Sequence, residues 1–389
     1  MPSGLRSRPV RFKPEAAALR VLAIVSNFKW SHTDYLVALG QLVGLRVVAC
    51  GEVHRGAIDN AGRWGLEVST LDRPEQVGTE EWVGRVRRML DEHRPEVVHV
   101  MYYHHEALMP LLRNEIDPGC RLVMECRDPI TALRPQESGW LEVERKALAS
   151  VDGLIVVSRA TAEYYQWRHE MKLAPWLVVP HAFARRTMGR RVVDRLSEGD
   201  GRVHLALVGT ASADPQHSRY YANVIEQLTE AGVVVHSHFH DGPESDFYAR
   251  LAKTNHDYFA HPTVPFREET LLSDLMARYD LTGVFHQLNA KGKNEGAILR
   301  MCLPTKAVSG WFHGGIPLVC FPHYGGILEY LLPKGLGFVV DELSEVARIP
   351  RAEIEQVRQR THRAREFFSH EVHAARVIEF YRRLLELQP

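Results

Sequence analysis

The residues best suited to chemistry lie in one stretch, Leu303 to Tyr330, which reads LPTKAVSGWFHGGIPLVCFPHYGGILEY. Lys306 opens an amphipathic run that predicts a helix, and a short apolar strand and a second helix follow. The pair Gly325 and Gly326 stands at the start of the second helix, where free backbone N–H groups point outward and bind phosphate well. The stretch therefore predicts a phosphate-binding site.

A run of histidines raises the question of a metal site. His236, His238 and His240 alternate in VVVHSHFHDG, so on a strand all three side chains face one side. Imidazole is a good ligand for zinc. However, residues i and i+4 on a strand lie roughly 13 Å apart by the strand rise. One ion cannot span that distance without distorting the strand, so we predict no metal.

Short apolar strands alternate with helical segments along the first half of the chain. They include RVLAIVS (20–26), LRVVACG (45–51), EVVHVMYY (96–103), RLVMEC (121–126) and DGLIVVS (152–158). Such alternation predicts an α/β fold whose mostly parallel sheet is covered on both faces. The first strand runs into SNFKWSHTDY, which lacks the glycines of a dinucleotide site. This argues against a nicotinamide or flavin enzyme.

A break in composition divides the chain into two domains. Residues 185–202 (RRTMGRRVVDRLSEGDGR) are charged and poor in large apolar side chains, as linkers are. The predicted organisation is a flexible basic tail over 1–19, an N-terminal domain over 20–185, a linker over 186–202, a C-terminal domain over 203–369 and a final helix over 370–389. The basic tail leaves a peripheral contact with anionic lipid open as the alternative to disorder.

Composition excludes several classes of protein. The chain has 389 residues, of which 45% are hydrophobic, enough for two cores of ordinary size. Its 48 basic and 48 acidic residues balance, so no field draws it to nucleic acid. The 5 cysteines are scattered and favour a reducing compartment. Without a long apolar run or an apolar signal core, a cytoplasmic location is predicted.

The motif LP-x-K, a helix, G-x-P with two apolar residues and then GG-x-x-E resembles the donor half of the GT-B glycosyltransferases, particularly the family 4-like group. The likeness continues upstream through 261–285. It implies two Rossmann-like domains that meet at a cleft, with the last helix crossing back to the first domain. One departure matters, because many members carry two glutamates eight positions apart. Here those positions hold Met301 and Ser309, or Cys302 and Gly310 in the alternative alignment.

The resemblance implies that the C-terminal half binds a nucleoside-diphosphate sugar. Lys306 is the leading cation for the diphosphate, with a solvated lysine at a helix end as the alternative. Arg219 follows the VGTAS strand end and could reach the same phosphates, although the expected G-R-x4-K signature is absent. Glu329 could bond ribose hydroxyls or merely favour the helix N-terminus. The predicted nucleotide-sugar-binding residues are Lys306, Ser309, Arg219, Gly325, Gly326 and Glu329.

The N-terminal half is then expected to hold the acceptor. Asp128 follows the strand RLVMEC and is the predicted general base, unless it only forms an Asp-Pro turn. His104 and His105 follow the neighbouring strand and could orient an acceptor, or could lie at the surface or cap a helix. His32 and Asp34 are predicted in the first strand-to-helix loop, often an acceptor wall in this fold.

The resulting prediction is a metal-independent, hexosyltransferase-like glycosyltransferase. It would move a sugar from a UDP-type or GDP-type donor to a hydroxyl of a small-molecule, glycan or lipid-linked acceptor, with no cofactor besides this donor substrate. The missing glutamates keep a second function open, a GT-B relative without transferase activity, either a nucleotide-sugar epimerase or a silent partner subunit. A third, an unrelated two-domain binding protein, would need an export signal that the N-terminus lacks.

Overall fold

Two parallel sheets, one in each half of the chain, form the framework of the protein. The computed structural model describes residues 19–28, 30–53, 55–101, 106–134, 137–189, 193–240, 242–262, 271–286 and 295–387. The predicted α/β class with two Rossmann-like domains is confirmed. Of the predicted basic tail, residues 1–18 lie outside the described residues. No helix in the described ranges is long and apolar enough to cross a membrane.

The N-terminal sheet has seven strands among the described residues, in the order β3-β2-β1-β4-β5-β6-β7, and all neighbours are parallel. The strands are β1 (Arg20–Phe28), β2 (Gly44–Val53), β3 (Val68–Leu71), β4 (Val97–Met101), β5 (Arg121–Cys126), β6 (Gly153–Val156) and β7 (Trp176–Val178). β4, β5 and β6 are buried along their whole length, because helices cover both faces. The strand order reverses between β1 and β4, so a crevice is expected at their C-terminal ends.

Helices follow most of these strands. In the N-terminal half they are α1 (Trp30–Gly40), α2 (Arg55–Arg63), α3 (Pro74–Val77), α4 (Thr79–His93), α5 (Leu108–Glu115), α6 (Ile130–Leu133), α7 (Gly139–Ser150) and α8 (Arg159–His169). α4 buries Trp82, Val86 and Leu90, which recur at helical spacing and pack on the sheet. The Ser158 side chain accepts a hydrogen bond from the backbone N–H of Thr161 and so caps α8.

The C-terminal sheet has six strands in the described part of the chain, in the order β10-β9-β8-β11-β12-β13, again all parallel. The strands are β8 (His204–Gly209), β9 (Val234–Phe239), β10 (Tyr258–Ala260), β11 (Leu281–Val284), β12 (Leu318–Cys320) and β13 (Gly337–Val339). The order reverses between β8 and β11. The residues that follow these two strands therefore border the crevice where α/β sheets bind ligands.

The remaining helices surround this second sheet and return to the first. They are α9 (Ser197–Asp200), α10 (Ala222–Glu230), α11 (Pro243–Leu251), α12 (Leu271–Met276), α13 (Glu295–Met301), α14 (Thr305–Ser309), α15 (Gly325–Lys334), α16 (Arg351–Ala364) and α17 (His370–Glu386). A π-helical turn, Gly310–Gly314, continues α14, and 3₁₀ turns span Arg185–Thr187, Leu343–Arg348 and Arg365–Phe368.

The last helix, α17, packs against the N-terminal sheet, as the fold prediction expected. Its residues Ala374, Val377 and Tyr381 are fully buried in the same apolar cluster as β1. The Tyr381 hydroxyl also bonds the Nδ1 atom of His99 on β4, at 2.6 Å. At Gly153 on β6, a Cβ atom would lie only 2.6 Å from the Leu384 side chain, so the helix and sheet approach closely there.

The chain crosses between the two halves at two places that lie side by side. The backbone N–H of Phe183 donates to the carbonyl of Phe368 at 3.1 Å, and the N–H of His370 donates back to Phe183 at 2.9 Å. The Glu371 carboxylate accepts from the backbone N–H of Arg185 at 3.1 and 3.0 Å. These bonds tie the outgoing and returning crossings into one connection between the halves.

Candidate functional site

Lys306 lies in the first turn of α14, beside the end of β8. Its Nζ atom donates to the Tyr221 hydroxyl at 2.7 Å and lies 5.0 Å from the centroid of that ring. Gly209 ends β8 with a φ of +96°, and a Cβ atom there would lie 3.8 Å from the lysine Cε atom. Burial, and then the nearby charge of Arg219, lower the pKa of Lys306 to about 7. A bound anion would restore the charge of this ammonium group.

Arg219 lies on the loop between β8 and α10 and supplies a second cation. Its charge lowers the pKa values of both Lys306 and His286, so its guanidinium group is close to both side chains. The loop is held by a hydrogen bond from the N–H of Ser212 to the carbonyl of Arg219, at 3.0 Å. No ion pair joins Lys306 or Arg219 to a carboxylate of the described residues. Two neighbouring cations without a counter-charge favour an anionic ligand.

His286, which sequence reasoning missed, lies directly beyond β11 in the same region. Only 5% of its surface is exposed, and among the described residues neither ring nitrogen has a hydrogen-bond partner. Its backbone N–H donates to the Tyr324 hydroxyl at 2.5 Å, which fixes the strand end. Burial, followed by the charges of Lys306 and Arg219, holds the pKa of His286 well below its usual range. A neutral imidazole therefore faces the two cations.

The glycine pair at the start of α15 allows two segments to pack closely. A Cβ atom at Gly325 would lie 2.5 Å from the carbonyl oxygen of Arg300. One at Gly326 would overlap the carbonyl oxygen of Met301 and lie 2.5 Å from that of Cys302. The pair is therefore required where α15 meets the end of α13, and contact of its N–H groups with phosphate stays a prediction.

Glu329 joins the two halves of the protein in this conformation. Its carboxylate accepts hydrogen bonds from the backbone N–H groups of Arg159 at 2.7 Å and Ala160 at 2.6 Å, at the N-terminus of α8. Ser158 also crosses the boundary, through a 2.7 Å bond from its hydroxyl to the Met301 carbonyl. Burial raises the pKa of Glu329. Glu329 therefore bonds the N-terminus of α8. A contact between Glu329 and ribose stays a prediction.

The two positions considered for the missing glutamate differ in the room they leave. Ser309 ends α14 with 2% of its surface exposed. At Gly310, a Cβ atom would overlap the Thr282 side chain of β11. The π-helical turn therefore packs against the sheet with no space for a longer side chain at Gly310. Ser309 remains the predicted substitute.

Asp128 of the N-terminal half comes close to the cations of the C-terminal half. It follows β5, and a shared neighbour, Cys302, indicates where it lies. The pKa of the Cys302 thiol is raised to about 12, chiefly by burial and then by the charge of Asp128, while Lys306 and Arg219 lower it. The pKa of the Cys302 thiol is therefore affected by the charge of the predicted base in one half and by the charges of both predicted cations in the other. All three charges thus act on one thiol at the boundary between the halves.

A buried ion pair holds the strand end that precedes Asp128. Arg127 donates to the Glu125 carboxylate at 2.6 Å and contacts the Nδ1 atom of His181 at 2.8 Å. Burial acts to raise the pKa of Glu125, but Arg127 and His99 outweigh it and hold this pKa at about 2. Because all of these groups are enclosed, the ion pair fixes the backbone from which Asp128 emerges.

Glu106 is a second acid-base candidate that sequence reasoning missed. It lies two residues before α5, beyond the end of β4, and only 6% of its surface is exposed. Burial raises its pKa to about 7, and the charge of Glu144 adds to the effect. Its Oε2 atom has no hydrogen-bond partner among the described residues. The signal was a carboxylate immediately after a strand, the same signal that selected Asp128.

The other predicted acceptor-side residues are placed differently. His104 and His105 lie outside the described residues. The expectation that His32 and Asp34 occupy a loop is wrong, because α1 begins at Trp30 and includes both. The His32 side chain also lies outside the described part. Asp34 forms an ion pair with Arg186 at 2.7 Å and so ties α1 to the segment that leaves the N-terminal half.

The alternating histidines belong to a hydrogen-bonded cluster. His236 contacts both His204 and His261 through ring nitrogens at 2.9 Å. His238 is buried beside them and stacks on His261, with ring centroids 4.7 Å apart. β9 ends at Phe239, so His240 lies beyond the strand and is exposed. In the described part of the chain, no group of three or more His, Cys, Asp or Glu residues could hold a metal ion.

Comparisons with known proteins match part of the N-terminal half to a family and most of the chain to solved structures. The glycosyl transferase 4-like domain family matches residues 33–182. Sucrose-phosphate synthase from Thermosynechococcus elongatus superposes with a TM-score of 0.67 at 11% identity, covering 94% of this chain and 99% of its own. Anabaena HepE in complex with UDP and glucose superposes with a TM-score of 0.63 at 13% identity, covering 93% of this chain and 98% of its own. No match was found among curated protein sequences.

The same architecture extends to an epimerase. A putative UDP-N-acetylglucosamine 2-epimerase from Listeria monocytogenes superposes with a TM-score of 0.54 at 12% identity, covering 93% of this chain and 95% of its own. At these identities the likeness concerns the fold. Together with the family match, it confirms the resemblance found in the sequence. The chain has the GT-B fold, and its residues 33–182 match the glycosyl transferase 4-like domain family.

Proposed function

We propose that this protein is a glycosyltransferase that moves a sugar from a nucleoside-diphosphate donor to an acceptor hydroxyl between its two halves. The observation that carries the proposal is the position of Lys306 beside the end of β8, where its Nζ atom bonds the Tyr221 hydroxyl at 2.7 Å. Transfer from such a donor needs cations for the leaving diphosphate and a base for the incoming hydroxyl. Here the cations come from one half and the carboxylate from the other.

Lys306 and Arg219 would neutralise the diphosphate as the glycosidic bond breaks. The hydrogen bond between Lys306 and Tyr221 holds the ammonium group beside the end of β8 before substrate arrives. Because these positive charges belong to side chains, we propose a reaction that needs no divalent metal.

Asp128 would accept the proton of the acceptor hydroxyl. The buried pair of Arg127 and Glu125 fixes the backbone of its strand end, so the carboxylate is held in one place. Glu106, with its pKa near neutral, would serve the same chemistry only if substrate reached it below the surface. Asp128 is the better candidate, because its charge is felt at Cys302 beside the cations.

The comparisons support a UDP-type donor over a GDP-type one. HepE is described in complex with UDP and glucose, and the epimerase neighbour is named for a UDP sugar. The acceptor would be a small molecule, a glycan or a lipid-linked glycan. We place the reaction in the cytoplasm. All 5 cysteines are unpaired, which suits a reducing compartment.

A second function, epimerisation of a nucleotide sugar, is favoured by two observations. Ser309 stands where many transferases of this group carry a glutamate, and an epimerase superposes on the chain over 93% of its length. Both functions need the diphosphate site of Lys306 and Arg219. They differ in that an epimerase converts the nucleotide sugar without an acceptor.

Two substitutions test the division of work between the halves. Lys306→Ala should weaken binding of free UDP about 10-fold to 100-fold, since a charge-assisted hydrogen bond contributes roughly 1.5–3 kcal/mol. Asp128→Asn should leave UDP binding intact and lower turnover about 10²-fold to 10⁴-fold, as loss of a general base does. The exposed lysine variant Lys253→Ala is the matched control for charge and should change neither.

The readouts are calorimetric titration of UDP and release of UDP from UDP-sugars with and without acceptors. Equal loss of UDP affinity in Lys306→Ala and Asp128→Asn would contradict the proposed roles. Conversion of a UDP sugar to its epimer in the absence of acceptor would establish the second function instead. Normal turnover by Asp128→Asn would move the search for the base to Glu106.

A further inference from the structure

A polar groove opens on the C-terminal half beside the donor residues. Its volume is ≈ 1000 Å³, and it runs between α10 and the segment 341–344 that follows β13. Its lining includes His286 and His323, which lie beyond the ends of β11 and β12. Because the charges of Lys306 and Arg219 act on His286, the groove adjoins the predicted diphosphate site.

The wall formed by α10 presents a row of polar side chains. Asn223, Gln227 and Glu230 line the groove and are exposed. They stand at positions i, i+4 and i+7, so they share one face of the helix over about 10 Å of its length. Neither Asn223 nor Gln227 bonds another described side chain. A row of this length suits a chain of linked units rather than a single ring.

The opposite wall combines carboxylates with aromatic surface. Asp341 and Glu342 lie along the segment after β13, and both are exposed. The half-buried Phe321 lines the groove, and the fully buried Phe285 packs behind it edge to face, with ring centroids 5.4 Å apart. Carboxylates and amides accept and donate to hydroxyl groups, while aromatic rings pack against C–H surface. The groove offers both kinds of contact side by side.

His286 provides the independent sign that something binds here. It lines the groove with 5% of its surface exposed, and neither ring nitrogen has a partner among the described residues. Buried polar groups are nearly always hydrogen-bonded, because leaving one unpaired costs about 1–3 kcal/mol. A neutral imidazole has one donor and one acceptor nitrogen. A hydroxyl group, which also donates and accepts, can satisfy either of them.

We infer that this groove binds an uncharged saccharide chain, the sugar-bearing part of the acceptor or product, next to the donor. The inference rests on the proposed function and names the substrate class of the same site. The carboxylates Glu230, Asp341 and Glu342 repel phosphate, sulfate and uronic acid groups. The amides and carboxylates along both walls also make it a poor site for a lipid tail. Hydroxyls and C–H faces, the two surfaces of a sugar ring, match what the walls present.

Binding of neutral glycans to the full-length chain tests the inference. Labelled protein would be applied to an array of neutral glycans, and the tightest binder titrated in the absence of nucleotide. The variant with both Asn223→Ala and Gln227→Ala should bind about 10-fold to 100-fold more weakly, as loss of two hydrogen bonds predicts. Gln356→Ala, an exposed amide on α16, is the matched control and should bind normally.

Any of three results would overturn the inference. The first is the absence of neutral-glycan binding above that of the unfolded chain, and the second is unchanged glycan affinity in the double variant. The third is tighter binding of spermidine than of any glycan. Titration of UDP on the same samples reports separately on the proposed function. Retained UDP binding with no glycan binding rejects the groove alone, whereas glycan binding that depends on Asn223 and Gln227 supports it even if UDP fails to bind.

Discussion

Acidification to pH 5 should unfold the C-terminal half. Burial lowers the pKa values of His236 and His313 to about 3 and that of His238 to about 4, and it holds the pKa of His286 well below its usual range. Neighbouring positive groups add to these shifts, among them His261 for the two strand residues. His236, His238 and His313 are therefore neutral in the folded protein at pH 5. In the unfolded chain they would be protonated.

The size of the effect follows from linkage. The unfolded pKa of histidine is about 6.5, so at pH 5 each ring disfavours the folded state by about 1.5 × 1.36, or 2 kcal/mol. Since the pKa is lowered on folding, the full stability is present above about pH 6.5 and is lost as the pH falls. The three rings together cost about 6 kcal/mol, which is comparable with the entire stability of an ordinary domain, about 5–15 kcal/mol.

Urea unfolding followed by circular dichroism between pH 7.5 and pH 5 measures this loss. Near pH 5.5 the free energy of unfolding should fall by about 4 kcal/mol per pH unit, and His236→Gln should reduce that slope by about 1.2 kcal/mol. His256→Gln removes an exposed histidine of the same half and is the control. Stability that stays level from pH 7 to pH 5, or equal slopes in His236→Gln and wild type, would refute the reasoning.

Three further results are expected. Glu329→Gln should lower the free energy of unfolding by about 1.5–3 kcal/mol, because a charged acceptor for two N–H groups is lost. X-ray scattering should show wider separation of the halves in this variant. An unchanged radius of gyration would contradict this expectation. Gly326→Ala should destabilise the protein by about 1–3 kcal/mol in thermal unfolding, because its Cβ atom would overlap backbone carbonyls. In the same assay, Gly84→Ala, in α4 with open space around it, should stabilise the protein by about 0.5–1 kcal/mol. Sugar transfer should survive EDTA, because side chains supply the cations; loss that Mn²⁺ restores would show a metal requirement.

The residues at strand ends were the predictable part of the site. Asp128 was selected because it follows an apolar strand, and parallel strands all end at the same edge of their sheet. Lys306 was selected because it stands at the start of a helix in the LP-x-K motif, and both charges act on the pKa of Cys302. The same rule applied to LTGVF and EVVHVMYY would have selected His286 and Glu106, which the structure shows to be buried and incompletely bonded.

Contacts between the halves could not be predicted in this way. Glu329 has its partners 170 and 169 residues earlier in the chain, in a different domain. The sequence predicted the helix that carries Glu329. It did not predict the hydrogen-bond partners of Glu329, because these depend on how the two domains pack. His32 and Asp34 were misplaced for a local reason. The polar run SHTD lacks apolar periodicity, so the sequence did not indicate that the helix begins before it.

The return of α17 to the first sheet has a consequence for biosynthesis. Ala374, Val377 and Tyr381 complete a core whose other members lie near the start of the chain, such as Val21 and Ala23 on β1. During translation, the ribosome releases the N-terminal half long before it releases this helix. That half must then wait, with part of its sheet uncovered, until synthesis ends. We therefore expect the domain made first to be completed last, and nascent chains that stop before α17 to depend on chaperones.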